Sequence, residues 1–271
     1  MSVPRDLPGR QKTGLILQTM QLIPLDIFAL WGIRHPVSGL SHLLGMLLGV
    51  MALIALVRQA QRRGLPSADV WRLAIYGVSL VLVFTASALY HLCSGPPERI
   101  VLLQKLDHAA IFLMIAGTNT AFCGGFKGWA GASCVATWIV ALGALVLKLV
   151  VWPMTSWLSV LVYLTVGWVA APGFFELVRV EGWPRLRLAM GGMIVYLIGA
   201  VVFATEWPVL WPGFIEGHEL FHGLVLVGAA GHFAFVYRYG TRPRTSPGSA
   251  PAFTGILPRA RYHPESIYRA G

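Results

Sequence analysis

Three histidines have the types and spacing of metal ligands. His91 closes the apolar stretch from Leu73 to Cys93, while His218 and His222 open the stretch from Glu216 to Tyr237, four residues apart in the string HELFH. A separation of four puts two side chains on one helical face a turn apart, so His218 and His222 can share one ion. Neutral imidazole is the usual nitrogen ligand for zinc, and three protein ligands with a water in the fourth position is the pattern of a catalytic zinc site. Ser87 stands four residues before His91 on the same face, and Asp107 follows across a short loop. A carboxylate beside such a metal can act as base towards water. Asp107 is the first choice. Glu219 is the competitor, because HELFH also satisfies HExxH, in which the glutamate beside the first histidine is the base. A metalloprotease would bring a third ligand downstream, usually an aspartate, and none follows His222.

The rest of the chain makes these residues conspicuous. Of 271 residues 56% are hydrophobic and 12% charged, against roughly 25% charged in an ordinary soluble domain. A water-soluble fold is excluded on that ground, and an all-α integral membrane protein is expected. Seven stretches are long and apolar enough to cross the bilayer: Leu40–Val57, Leu73–Cys93, Leu106–Cys123, Trp129–Val151, Trp157–Leu177, Leu188–Ala204 and Glu216–Tyr237. An ionisable group inside such a span costs about 2.5 to 3.5 kcal/mol on insertion scales, so one that occurs faces a cavity or a partner. Odd-numbered spans start at the face where even-numbered spans end. His91, Asp107, His218 and His222 therefore fall at one level of the bilayer and converge from three helices.

Other polar residues have plainer readings. His42 opens the first span at that same level and is either a group behind the ligands or a polar helix contact. His108, about 100 degrees around the helix from Asp107, reads as an interfacial side chain. His232 lies about 15 Å along the helix from His222 and reads as a packing hydrogen bond. Lys148 is expected to snorkel to the headgroups. Trp129, Trp152, Trp157, Trp207 and Trp211 cluster at span ends as interface anchors. Cys93, Cys123 and Cys134 show no CxxC spacing and read as buried thiols. Residues 1–37 mix apolar positions with Gln18, Gln21, Pro24 and Asp26, which suits an interfacial helix before a membrane domain over 38–239. Residues 240–271 are basic and rich in Pro, Gly and Ser, without a core-forming period, and are expected to be disordered.

Three strings carry a resemblance: SALYH at Ser87–His91, LDHAAIFLMIAGTNT at Leu106–Thr120, and GHELFHGLVLVGAAGHF at Gly217–Phe233. In order and separation they resemble the signatures of the hemolysin III branch of the progestin and adipoQ receptor superfamily, which includes the adiponectin receptors. The resemblance implies a seven-helix bundle with zinc held by His91, His218 and His222, and with Ser87 and Asp107 bonded around the water on the zinc. The chain departs from the family pattern in the lead-in to SHLLG at Ser41–Gly45 and in Asn119, where a tyrosine is more usual.

The expected function is a zinc-dependent hydrolase of lipid amides or esters within the membrane. The alternative is a non-enzymatic receptor, pore-forming protein or membrane-homeostasis protein in which zinc clamps helices together. Membrane lipid is the expected partner in either case. Nucleic acid is excluded despite the net charge of +10, because the basic residues lie in short loops and the tail. Lys and Arg number seven on the N-terminal side of seven spans and fourteen on the other. By the positive-inside rule the C-terminus is cytoplasmic, with the protein in the cell's inner (plasma) membrane and the histidines near its outer face.

Overall fold

Proline and glycine set where the helices begin and end. The computed structural model describes residues 33–242, in which we number the helices α1 (Pro36–Arg62), α2 (Ser67–Leu92), α3 (Pro97–Cys123), α4 (Gly128–Val150), α5 (Ser156–Val169), α6 (Ala171–Glu181), α7 (Trp183–Thr205) and α8 (Gly217–Phe235). Pro36, Pro97, Pro172 and Pro184 all stand in a first turn, where the missing N–H costs nothing. Gly182, with φ of 76°, takes a backbone conformation open to glycine at the junction of α6 and α7. The Thr155 hydroxyl accepts the Leu158 N–H at 3.3 Å and starts α5. A short π-helix, Val236–Gly240, closes α8.

Among the described residues there is no β-sheet, and Trp211 and Ile215 form an isolated antiparallel bridge. Among the described residues six helices are long and apolar enough to cross a membrane, and the count is seven if α5 and α6 form one span bent by 46°. The protein is an all-α integral membrane protein. The interfacial helix expected in residues 1–37 and the tail expected in 240–271 fall almost wholly on residues 1–32 and 243–271, outside the described residues.

Two span expectations change. The fifth span is not one straight helix: it breaks at Ala170, ahead of Pro172, whose ring cannot continue the hydrogen-bond ladder. The third begins at Pro97, ten residues before Asp107, so that Asp107 lies inside α3 and not at its opening. The polar first turns of α3, with Glu98, Arg99 and Lys105, extend it beyond its apolar stretch.

The helices pack mainly with their chain neighbours, α1 on α2, α2 on α3 and α7 on α8, and α8 returns to α1. On α1 the inner face is made of small residues, Gly39, Gly45, Gly49, Ala52 and Ala60, which bring the α2 backbone close. Its opposite face, Leu40, Leu44, Leu47, Met51 and Ile54, is exposed. A stripe of leucines turned away from the core suits lipid as solvent. The interior is filled by Leu56, Leu73, Tyr76, Leu80, Phe84, Met114, Val225 and Phe235.

At the end of the bundle away from His91, Arg72 at the start of α2 donates to Ala121 O (3.3 Å), Gly124 O (3.0 Å) and Gly240 O (3.1 Å) and pairs with Asp69 at 3.3 Å. One guanidinium thus satisfies carbonyls left open at the ends of α3 and α8.

Candidate metal centre

His91 occupies the last turn of α2, and His218 and His222 the first two turns of α8. The His218 Nε2 atom lies 3.4 Å from His91 Nε2 and 3.1 Å from His222 Nε2. One ligand atom from each of the three rings lies within 4.8 Å of the other two. The rings of His91 and His222 are steeply crossed, at 87° with centroids 4.6 Å apart. Zinc–nitrogen bonds of about 2.0–2.1 Å at tetrahedral angles place ligand nitrogens about 3.3 Å apart. The observed separations match that figure, so the three histidines can hold a metal ion.

Polar atoms near the cluster point the same way. His91 Nδ1 is buried without a hydrogen-bond partner among the described residues, and Ser87 is buried beside Asp107. Asp107 is buried as well, and its Oδ2 lies 3.9 Å from His91 Nε2. A donor set of three imidazoles with a nearby carboxylate and hydroxyl fits zinc by chemistry as well as by spacing. Phe203 and Phe221 stack at centroid distances of 6.4 and 6.5 Å from His218 and give the site an apolar wall.

Glu219 stands beside His218 in sequence but serves the helix start. Its Oε2 accepts the Glu216 N–H at 3.1 Å, and the Glu216 side chain reciprocates in a capping box at the N-terminus of α8. Its Oε1 accepts the Ser38 hydroxyl at 3.2 Å, which ties α8 to α1. Both carboxylate oxygens are engaged in holding the turn that presents His218 and His222. His42, from α1, lies against His222 with ring centroids 4.0 Å apart. His232 lies apart from the cluster and bonds to Ala189 O at 3.1 Å.

Two expectations are corrected. Lys148 does not snorkel: it is 1% exposed, donates to Ser159 Oγ at 2.6 Å and lies 5.1 Å from the centre of the Trp152 ring. An acceptor one helix away and an aromatic face hold the ammonium inside the bundle. His108 is not a free interfacial side chain either, because its ring packs edge-on against Trp152 (5.6 Å) and Phe203 (6.0 Å). Of the cysteines, Cys123 is buried and Cys93 and Cys134 are half-buried.

Sequence reasoning missed Arg34 and His35. The His35 N–H donates to His91 O at 3.0 Å, and the His35 ring stands edge-on to His91 with centroids 5.3 Å apart. Arg34 donates to Tyr90 O at 3.1 Å and covers the Tyr90 ring. The parity of spans that placed His42 at the level of His91 applies equally to His35, seven residues earlier.

The family model described as haemolysin-III related matches residues 32–233. The chain is 31% identical over 207 residues to the hemolysin-3 homolog of Bacillus subtilis (strain 168), covering 74% of this chain and 92% of that protein. It is 32% identical over 209 residues to hemolysin-3 of Bacillus cereus, covering 74% of this chain and 90% of that one.

Proposed function

This chain belongs to the haemolysin III family, within the progestin and adipoQ receptor superfamily, and we propose that it is a zinc-dependent hydrolase of lipid amides or esters. The observation that carries this reading is the meeting of the His91, His218 and His222 Nε2 atoms beside a buried carboxylate, at the ends of apolar helices. His91, His218 and His222 would hold the ion. Zinc bound there would polarise a substrate carbonyl and make a water at the site acidic enough to attack near neutral pH.

The chain's own residues supply the rest. Asp107 Oδ2 takes the proton released from the attacking water and can return it to the leaving nitrogen or oxygen. Ser87 Oγ–H is a donor for charge that develops on the carbonyl oxygen, where an enclosed, preorganised group counts for more than in water. Glu219, with both oxygens occupied at the α8 cap, keeps the two ligands of that helix in register.

A second reading has its own support. Asp107, 3.9 Å from His91 Nε2, is near enough to serve as a fourth ligand after a small shift, and four protein ligands make a structural zinc site. In that case zinc clamps α2, α3 and α8 of a pore-forming or receptor-like protein, a role to which the relatives' name, hemolysin-3, gives weight.

Purified protein incubated with ceramide, with and without chelator, separates the two. The hydrolase releases fatty acid in a chelator-sensitive way, and Asp107→Asn lowers turnover by roughly two to four orders of magnitude while retaining metal. No release from ceramide or from ester lipids, together with loss of metal in Asp107→Asn, establishes the clamp.

A further inference from the structure

His222 cannot ligate through Nε2 unless its one ring proton is on Nδ1, since a neutral imidazole carries a single N–H. That Nδ1–H needs an acceptor, and the atoms beside it belong to His42. The His222 Nδ1 atom is 3.1 Å from His42 Nδ1 and 3.0 Å from His42 Nε2. His42 Nε2 is in turn 3.3 Å from the His222 carbonyl oxygen, which can only accept. A neutral His42 always has one nitrogen free to accept. With its proton on Nε2, His42 donates to the carbonyl and offers the Nδ1 lone pair to His222 Nδ1–H. With its proton on Nδ1, it offers the Nε2 lone pair to the same N–H and gives up the carbonyl contact. The first arrangement satisfies more polar atoms, and in both His42 can accept the proton that a ligating His222 carries on Nδ1.

The His42 ring is held to do this. It is 3% exposed, lies edge-on to Phe84 of α2 with centroids 5.1 Å apart, and comes from α1, which supplies none of the three candidate ligands. Resting on the zinc reading above, we propose that His42 is a positioning residue for the metal centre: it accepts the Nδ1 proton of His222 and thereby presents the His222 Nε2 lone pair to the ion. A ligand histidine whose second nitrogen donates to a fixed acceptor is held in orientation and made a better base, and loss of such partners lowers metal affinity 10- to 100-fold in general.

The test uses the full-length protein purified in detergent, with zinc affinity measured by competition with a chromogenic chelator. His42→Leu keeps the packing against Phe84 and removes both polar contacts. His42→Gln keeps an oxygen to accept and an N–H to donate. His42→Leu should bind zinc about 10- to 100-fold more weakly than the native chain, and His42→Gln should recover most of that loss. The visible spectrum of the cobalt-loaded protein should change in His42→Leu and stay close to native in His42→Gln. Thermal unfolding of the metal-free proteins should give similar midpoints for all three, which separates positioning from packing. Native affinity and spectrum in His42→Leu, or an equal loss in both variants, overturns the role of His42 while leaving the zinc reading intact. A native chain that binds no zinc overturns both.

Discussion

At the scale of single residues, a histidine inside a bilayer has to spend its polar atoms on something. His232 does so with one carbonyl, Ala189 O, while His91, His218 and His222 turn one nitrogen each towards a common point. That difference separates a packing histidine from a candidate ligand. Replacing His91, His218 or His222 by Ala is expected to reduce zinc in the purified protein from about one ion per chain to a small fraction of that, because each removes one of three protein ligands. His232→Ala should keep full occupancy. Metal analysis of the four variants checks it, and equal zinc in all of them would refute the assignment. The choice of these residues was legible from spacing and span parity. The task of Glu219 was not. HExxH names a base, but whether that carboxylate is free depends on Glu216 at the helix start and on Ser38, far away in sequence, and no local pattern reports either contact.

At the scale of helices, the sequence told where apolar stretches lie better than how they are joined. Trp157–Leu177 read as one span because its length matched the hydrocarbon, yet Pro172 imposes a break that length alone hides. The polar turns at the start of α3 were invisible to a search for apolar runs. Lys148 illustrates the same limit: near the end of an apolar helix, the rule is to snorkel, and only the placement of Ser159 and Trp152 on the following segment reverses it. This contact between α4 and α5 makes a testable pair. Ser159→Ala leaves a buried ammonium without its hydrogen-bond acceptor and should destabilise the protein by about 1–3 kcal/mol. Lys148→Met with Ser159→Ala should be less destabilised than Ser159→Ala alone, because removing both partners leaves nothing unpaired. Thermal unfolding of the native, single and double variants in detergent reads the coupling, and strictly additive shifts would show that the two side chains act independently.

At the scale of the whole molecule, the alternation of spans was the most informative property of the sequence, because it placed residues more than a hundred positions apart at one depth. His91 and His218 meet on that basis alone. The same alternation gives the bundle two unlike ends. One end carries the histidines, Asp107 and the exposed Trp207 and Trp211 of the α7–α8 connection. The other carries the α1–α2 turn with Arg62 and Arg63, where Arg63 donates to Thr241 Oγ1 at 2.7 Å, and Arg72 binds the ends of α3 and α8. Part of the positive-inside count is therefore structural: Arg72 and Lys148 are buried and contribute little to a loop's charge. Striking one from each side leaves the imbalance in place, since Arg58, Arg62 and Arg63 still crowd one short connection and Arg238 onward adds more. The C-terminus is accordingly expected in the cytoplasm and the histidine cluster near the outer face. A fluorescent protein that matures only in the cytoplasm, fused after Gly271, should be bright at normal expression, and an exported phosphatase at the same position should be inactive. A dark fluorescent fusion with an active phosphatase would invert the molecule and place the cluster on the cytoplasmic side.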